Sequence, residues 1–156
     1  MPLVSAFSNN FPDFFIVERS GLADIATIET DADRGDATFE WTGSDLGFGG
    51  TGQLRRAVAP TGFVLRIATF DGFRMHGKFV DGITDPDIAA EVRADSTFVL
   101  ERGVIDPSQF SFRSVRFPDR FIRHRDFKLF AEPVNTPDEL QSATFRIVSP
   151  LHSDDR

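Results

Sequence analysis

Residues 11–16 read FPDFFI, and residues 117–122 repeat them almost letter for letter as FPDRFI. A weaker copy, APTGFV, lies at residues 59–64. Each copy is followed by a Thr-Phe pair, and the two aromatic anchors are 24 residues apart in the outer copies (15 to 39 and 121 to 145) but 35 apart in the middle copy (63 to 98). Two anchors in one order with equal spacing predict an internal threefold repeat, with the extra residues of the middle copy around Phe70 to Gly82.

The composition indicates many short strands. The chain has 18 Phe, 12 Gly and 9 Pro but no Tyr, and the phenylalanines come in bursts between turn-forming residues, which is typical of strands. The best helical candidate, PDIAAEVRA at residues 86–94, is too short to be stable alone. In the third copy we predict strands at 110–115, 120–125, 127–132 and 143–149. The sequence therefore predicts an all-β fold.

Three copies of about four strands each need one shared core. A single four-stranded unit exposes an apolar face and unpaired edges, whereas three units can close into a short barrel. Three copies of about four strands each therefore predict a β-trefoil. It would form a single domain over residues 1–156, with repeats at about 4–46, 52–103 and 110–151. A three-bladed propeller is the competing geometry, and it is disfavoured because propellers typically have four or more blades.

Composition and charge argue against several classes of protein. A chain of 156 residues suits one domain. The absence of cysteine excludes disulfides and thiolate metal sites, and the three histidines lack the close spacing of a helical metal site. A net charge of −7 disfavours nucleic acid, and no apolar stretch is long enough to span a bilayer. We therefore expect a monomer with no cofactor, metal, nucleic-acid partner or membrane.

The third copy carries a family resemblance. Residues 111–127, SFRSVRFPDRFIRHRDF, and residues 143–148, ATFRIV, resemble the AbfB-type arabinose-binding domain, whose pattern is roughly S-x-R-S-x-N-x-P-x-x-Y-[IL]-R-H-x-N followed by D-A-T-F. This family comprises the family 42 carbohydrate-binding modules, which are typically attached to α-L-arabinofuranosidases. The first copy matches moderately and the second only at its anchors, so the resemblance runs from about Val4 to about Leu151. The family fold is a β-trefoil, in agreement with the repeats.

The resemblance implies a non-catalytic module that binds polysaccharide or oligosaccharide, with arabinofuranose side chains of arabinoxylan or arabinan as the expected ligand. Family members hold the sugar in shallow pockets, one per repeat, where a histidine and the aspartate of D-A-T-F bond its hydroxyls. Such groups suit a small neutral polyol, since a carboxylate accepts hydrogen bonds and an imidazole donates or accepts them. A module of this kind would be secreted, although residues 1–10 show no signal-peptide pattern.

This chain departs from the family pattern in every copy. The third copy keeps the histidine but has serine in place of the aspartate, the first has glutamate for the histidine, and the second has arginine for it. No copy keeps both partners, so the candidate binding residues are these seven: His124, Ser142, Arg123, Asp36, Glu18, Asp95 and Arg66.

Two interpretations of these departures remain open. In the first, the variant pairs still form at least one glycan pocket. In the second, the module is a degenerate β-trefoil used for protein–protein contact or structural packing, in which Asp36 and Asp95 cap turns. Under that interpretation Arg66 and Asp95 form a surface salt bridge worth about 0–1 kcal/mol.

Other residues carry plainer expectations. We expect Trp41 in the core or at its rim, His76 exposed on an inserted hairpin, and His152 with residues 153–156 in a frayed tail. Glycoside hydrolysis needs a pair of carboxylates, and the sequence has many candidates for such a pair. The repeats occupy the whole chain, however, and indicate no deep cleft. No recognisable motif assembles a Ser-His-Asp set. We therefore predict no catalytic residues.

Overall fold

The computed structural model describes residues 2–43 and 45–152, which are built mainly of strands with three short α-helices. The prediction of an all-β fold is confirmed. The strands described are β1 Leu3–Ser8, β2 Phe15–Arg19, β3 Leu22–Ala26, β4 Phe39–Trp41, β5 Thr51–Gly52, β6 Leu54–Arg56, β7 Phe63–Ala68, β8 Arg74–Phe79, β9 Phe98–Arg102, β10 Phe110–Ser114, β11 Phe121–Arg125, β12 Lys128–Glu132 and β13 Phe145–Val148. The helices are α1 Asp31–Asp36, α2 Pro86–Ser96 and α3 Pro137–Ser142.

Antiparallel pairing closes a ring of strands. β1 pairs with β4 and β13, β4 pairs with β6, and β10 pairs with β9 and β13. β5, which precedes β6 by one residue, pairs with β9 and completes the ring. The interior is filled by large buried side chains, among them Phe39, Phe98 and Phe145 from the three Thr-Phe pairs. Closure leaves these ring strands without free edges.

Three hairpins, β2–β3, β7–β8 and β11–β12, cover the ring. Their first strands pair with β1, β6 and β10. Their second strands pair with one another, β3 with β8, β8 with β12, and β12 with β3. The three hairpins thus occupy equivalent positions in the pairing scheme, and buried residues such as Ile16, Leu65 and Ile122 extend the core between them.

Each hairpin is followed by a short helix that ends just before a Thr-Phe pair. Thr30 and Thr136 are the N-caps of α1 and α3, and each makes a capping box with an acidic side chain three residues on. α2 begins after the N-cap Asp85, with proline in its first turn. These helices matter for the site, because Asp36, Asp95 and Ser142 lie in their last turns.

Several sequence expectations need correction. The extra residues of the middle copy are divided between a longer hairpin and α2, which has 11 residues against six in α1 and α3, rather than lying only around 70–82. His76 is half-buried, with its ring nitrogen 2.8 Å from Asp71. His152 is half-buried and its amide donates to Thr38 at 3.1 Å, so it is not frayed; residues 153–156 lie outside the described part. The expected core position of Trp41 is confirmed.

No α-helix within residues 2–43 and 45–152 has the length and apolar character needed to cross a bilayer.

Candidate functional site

The predicted residues gather at three positions, each where the last turn of a helix meets the first strand of a hairpin. At the first position Glu18 of β2 and Asp36 of α1 meet Arg56. At the second, Arg66 of β7 and Asp95 of α2 meet Arg116. At the third lie His124 and Arg123 of β11 and Ser142 of α3, with the end of β1 and the loop after it.

Arg56 is the centre of the first position. Its buried guanidinium donates to the Glu18 carbonyl at 2.6 Å, lies 3.3 Å from Glu18 Oε1, and binds Asp36 Oδ1 at 2.7 Å. Its remaining donors reach the carbonyl oxygens of Val58 and Ala59. Glu18 also accepts from the Gly21 amide at 2.9 Å. Each oxygen of the buried Glu18 carboxylate therefore has a partner inside the protein, and the side chain is only 2% exposed.

Asp36 differs from Glu18 because it reaches solvent. Arg19 donates from Nε to Asp36 Oδ2 at 2.7 Å, so two guanidinium groups fix the carboxylate, yet 18% of the side chain remains exposed. A cleft of about 410 Å³ opens here, and its lining includes Glu18, Arg19, Asp36, Arg56 and Phe63. We call it the Asp36 cleft. It combines a carboxylate acceptor, guanidinium donors and an aromatic ring, which are groups that can orient a neutral polyol.

At the second position the carboxylate is covered. Asp95 Oδ1 binds Arg116 at 2.5 Å, Oδ2 lies 3.7 Å from Arg66, and the side chain is 2% exposed. The interpretation of Arg66–Asp95 as a surface salt bridge is therefore wrong. Two guanidinium groups face the Asp95 carboxylate before any ligand arrives, so this cluster connects α2, β7 and the loop after β10.

At the third position His124 is 4% exposed. Its Nε2 lies 2.7 Å from Ser8 Oγ and 3.1 Å from Asn10 Oδ1, and the Phe11 ring lies 5.1 Å from the imidazole. The Asn10 carbonyl oxygen can only accept, which favours the tautomer with its proton on Nε2. Burial, with a smaller contribution from the Arg123 cation, lowers the pKa of His124 from 6.5 to about 4, so the imidazole is neutral at pH 7.

Ser142 makes its hydrogen bonds elsewhere. It accepts from Arg123 Nε at 3.0 Å and donates to the Glu139 carbonyl at 2.8 Å. The hydrogen bonds of His124 and those of Ser142 thus go to different partners. At the first position, by contrast, Arg56 joins Glu18 to Asp36, and at the second Arg66 lies directly against Asp95. Within the described ranges 2–43 and 45–152, no group of three or more histidine or acidic side chains could hold a metal ion.

The comparison with known families decides the assignment. The family model described as "Alpha-L-arabinofuranosidase B (ABFB) domain" matches residues 64–155, which is more than half of the chain. The chain belongs to this family. The predicted resemblance is confirmed over residues 64–155, which begin inside the second copy and include the third, and its extension to the first copy stays a prediction. No curated protein matches the chain.

Solved structures resemble the ABFB domain in fold. An arabinofuranosidase complexed with arabinofuranosyl-alpha-1,2-xylobiose is 16% identical with a TM-score of 0.78, over 97% of this chain and 32% of that chain. The "BEL beta-trefoil" is 12% identical with a TM-score of 0.65, over 94% and 91%. A Polyporus squamosus lectin is 11% identical with a TM-score of 0.63, over 94% and 48%. The chain thus spans about a third of the length of the arabinofuranosidase. At these low identities, the similarity to the three structures shows the fold alone.

Sequence reasoning missed the part of each position that comes from a neighbouring copy. Arg56 and Arg116 lie at the start of the copy that follows, and Ser8 of the first copy completes the third position of the ABFB domain. A signal was present for Arg56 but not for Arg116. Ser8, Arg56 and Ser114 all stand three residues before the start of a repeat hexapeptide, and a charged residue at a place where the other copies have serine indicates a buried partner of opposite charge.

Proposed function

We propose that this ABFB domain is a non-catalytic carbohydrate-binding module whose ligands are arabinofuranose side chains of polysaccharides such as arabinoxylan or arabinan. The observation that carries the proposal is the Asp36 cleft, in which a solvent-reaching carboxylate lies at the position of the family aspartate. Family membership supports it, as does the likeness in fold to an arabinofuranosidase solved with an arabinofuranosyl ligand.

The proposal includes a β-trefoil architecture with three repeats in one domain. The mutual pairing of β3, β8 and β12 supports it, because it relates the three hairpins cyclically. The closed ring beneath the hairpins and the likeness to the "BEL beta-trefoil" point the same way.

Each residue of the Asp36 cleft has a distinct role in the proposal. Each Asp36 oxygen already accepts one guanidinium N–H, and its second lone pair can accept a sugar hydroxyl. The half-buried Phe63 ring offers an apolar wall for the C–H face of the sugar. Glu18 acts as a positioning residue, because it holds Arg56 in place without reaching solvent itself.

We propose structural roles for the predicted residues at the other two positions. Asp95 and Arg66 are bound within a buried ion cluster, and His124 and Ser142 are buried in internal hydrogen bonds. Catalysis is disfavoured at the first position as well. A glycosidase sets two carboxyl groups on either side of the scissile bond, whereas here the Arg56 guanidinium lies between Glu18 and Asp36.

Titration with sugar tests the proposal. We expect ¹H–¹⁵N NMR shifts around the Asp36 cleft when methyl α-L-arabinofuranoside or an arabinoxylan oligosaccharide is added at millimolar concentration, since shallow single sites bind weakly. Asp36→Asn keeps the shape but removes the charge, and should weaken binding about tenfold or more, because a hydrogen bond to a charged group contributes about 1.5–3 kcal/mol.

The control is Asp81→Asn, which removes another aspartate–arginine pair but lies outside the Asp36 cleft. It should bind as tightly as the parent protein. A folded parent protein that gives no shifts with either sugar would overturn the proposal. The protein–protein or structural role would then be favoured.

A further inference from the structure

The turn between β11 and β12 holds an aromatic residue in a backbone conformation that favours glycine. Asp126 and Phe127 have φ of 52° and 63°, and the corresponding turn between β2 and β3 is Ser20–Gly21, with φ of 53° and 83°. Positive φ is unfavourable for a residue with a bulky side chain. Phe127 is nevertheless 51% exposed, so burial does not account for its presence in this turn.

Neighbouring aromatic rings hold Phe127 in a defined orientation. Its ring centroid lies 5.1 Å from that of Phe14 and 6.1 Å from that of Phe11, at interplanar angles of 32° and 30°. Phe11 is itself exposed, and its ring centroid lies 5.1 Å from that of His124. The result is a pre-oriented aromatic surface rather than a single mobile side chain.

A second cleft adjoins this surface. It has a volume of about 360 Å³, and Phe127 forms part of its wall. Its charged lining comes from two hairpins and β8, namely Arg19, Asp24, Arg74, Asp126 and Lys128. We call it the Phe127 cleft. An aromatic wall with carboxylate acceptors and cationic donors around it is suited to the apolar face and the hydroxyl edge of one sugar ring.

The two clefts share a wall. Arg19 lines both of them, and its guanidinium is held in place by Asp36 at 2.7 Å and Asp33 at 2.6 Å. One fixed side chain, Arg19, therefore borders both the Asp36 cleft and the Phe127 cleft. A branched saccharide bound in one cleft would extend past Arg19 into the other.

We propose that the Phe127 cleft is a second subsite of the same carbohydrate-binding site. It binds the main-chain sugar to which the side-chain sugar is attached, with that ring stacked on Phe127. This inference rests on the proposed function, because it assumes that the side-chain sugar occupies the Asp36 cleft. The ligand of the complete site is then a branched oligosaccharide rather than a monosaccharide.

Calorimetric or NMR titration with two ligands separates the subsites. The ligands are methyl α-L-arabinofuranoside and a xylotriose that carries one arabinofuranosyl branch. Phe127→Gly removes the ring while glycine readily keeps the positive φ, and Phe127→Trp restores an aromatic ring. Phe70→Ala is the matched control, because Phe70 is 73% exposed and lines neither cleft.

We expect the branched oligosaccharide to bind Phe127→Gly about three- to tenfold more weakly, in line with the strength of aromatic contacts. The monosaccharide should bind this variant unchanged, and Phe127→Trp and Phe70→Ala should keep the parent affinity for both ligands. Equal oligosaccharide affinity of Phe127→Gly and the parent would overturn the second subsite alone. Failure of the parent to bind either ligand would instead overturn the proposed function, and the second subsite with it.

Discussion

Replacement of Arg56 by methionine tests the buried ion cluster at the Asp36 cleft. Methionine fills a similar volume but has no donor, so Arg56→Met removes the contacts to Glu18 and Asp36 together. The consequence differs for the two carboxylates. Asp36 reaches solvent and keeps Arg19, whereas Glu18 is almost fully buried and keeps only the Gly21 amide.

The expected cost follows from the stranded charge of Glu18. Removal of one member of a buried ion pair costs about 3–5 kcal/mol, because the other charge stays buried without compensation. We therefore expect Arg56→Met to lower the free energy of unfolding by about 3–5 kcal/mol. A domain of this size has a stability on the order of 10 kcal/mol, so the variant remains folded.

A second variant isolates the electrostatic part of this loss. Glu18→Gln in the Arg56→Met background removes the stranded charge, so the double variant should regain about 2 kcal/mol or more. Urea unfolding can be followed by the fluorescence of Trp41, the single tryptophan, which is buried in the core. The reasoning is refuted if Arg56→Met costs less than about 1 kcal/mol, or if the two substitutions destabilise additively.

Three further predictions concern other parts of the fold. Because burial holds the pKa of His124 near 4 against 6.5 in the unfolded chain, protonation favours unfolding. The contribution of His124 to stability should be flat above pH 6.5 and fall by about 3 kcal/mol as the pH drops to 4, and His124→Gln should lack it in urea titrations. Gly103→Ala should lower stability by about 1–3 kcal/mol in thermal unfolding, because a Cβ there would collide with the Asp106 carbonyl oxygen. Phe127→Gly should change stability by less than about 1 kcal/mol in calorimetry, since relief of the positive φ offsets the lost contact with Phe14.

The aromatic anchors were predictable as core residues because the closed ring buries them. Phe39, Phe98 and Phe145 are the first residues of β4, β9 and β13, and all three are buried in the same core. An aromatic residue therefore recurs directly after the threonine of each Thr-Phe pair. In the third copy the predicted strands agree with the observed ones to within about two residues at each end. The short helices α1 and α3 were missed because six residues are too few to show a helical period, although the capping boxes at Thr30 and Thr136 were a usable signal.

The site was predictable only within one copy. The pairing of Asp36 with Glu18 follows from motif positions along the chain, and the structure brings the two residues to one cluster. The contributions of Arg56 and Ser8 do not follow from those positions, because each comes from a different copy that the closed ring brings alongside. Local spacing carries no information about which copy lies next to which.

The three positions differ in the balance of charge, and this balance decides which one offers a free acceptor. In each, the hairpin residue is largely buried and must be compensated from within. At the first position two carboxylates meet two guanidinium groups, and one of those carboxylates, Asp36, still reaches solvent. At the second, Asp95 alone meets two arginines and is covered. At the third, His124 is a neutral buried imidazole that needs hydroxyl and amide partners rather than ions. The hairpin residue is Glu18, Arg66 or His124 in the three positions. A change of this residue therefore changes whether a neighbouring acceptor stays exposed, while the strands around it stay the same.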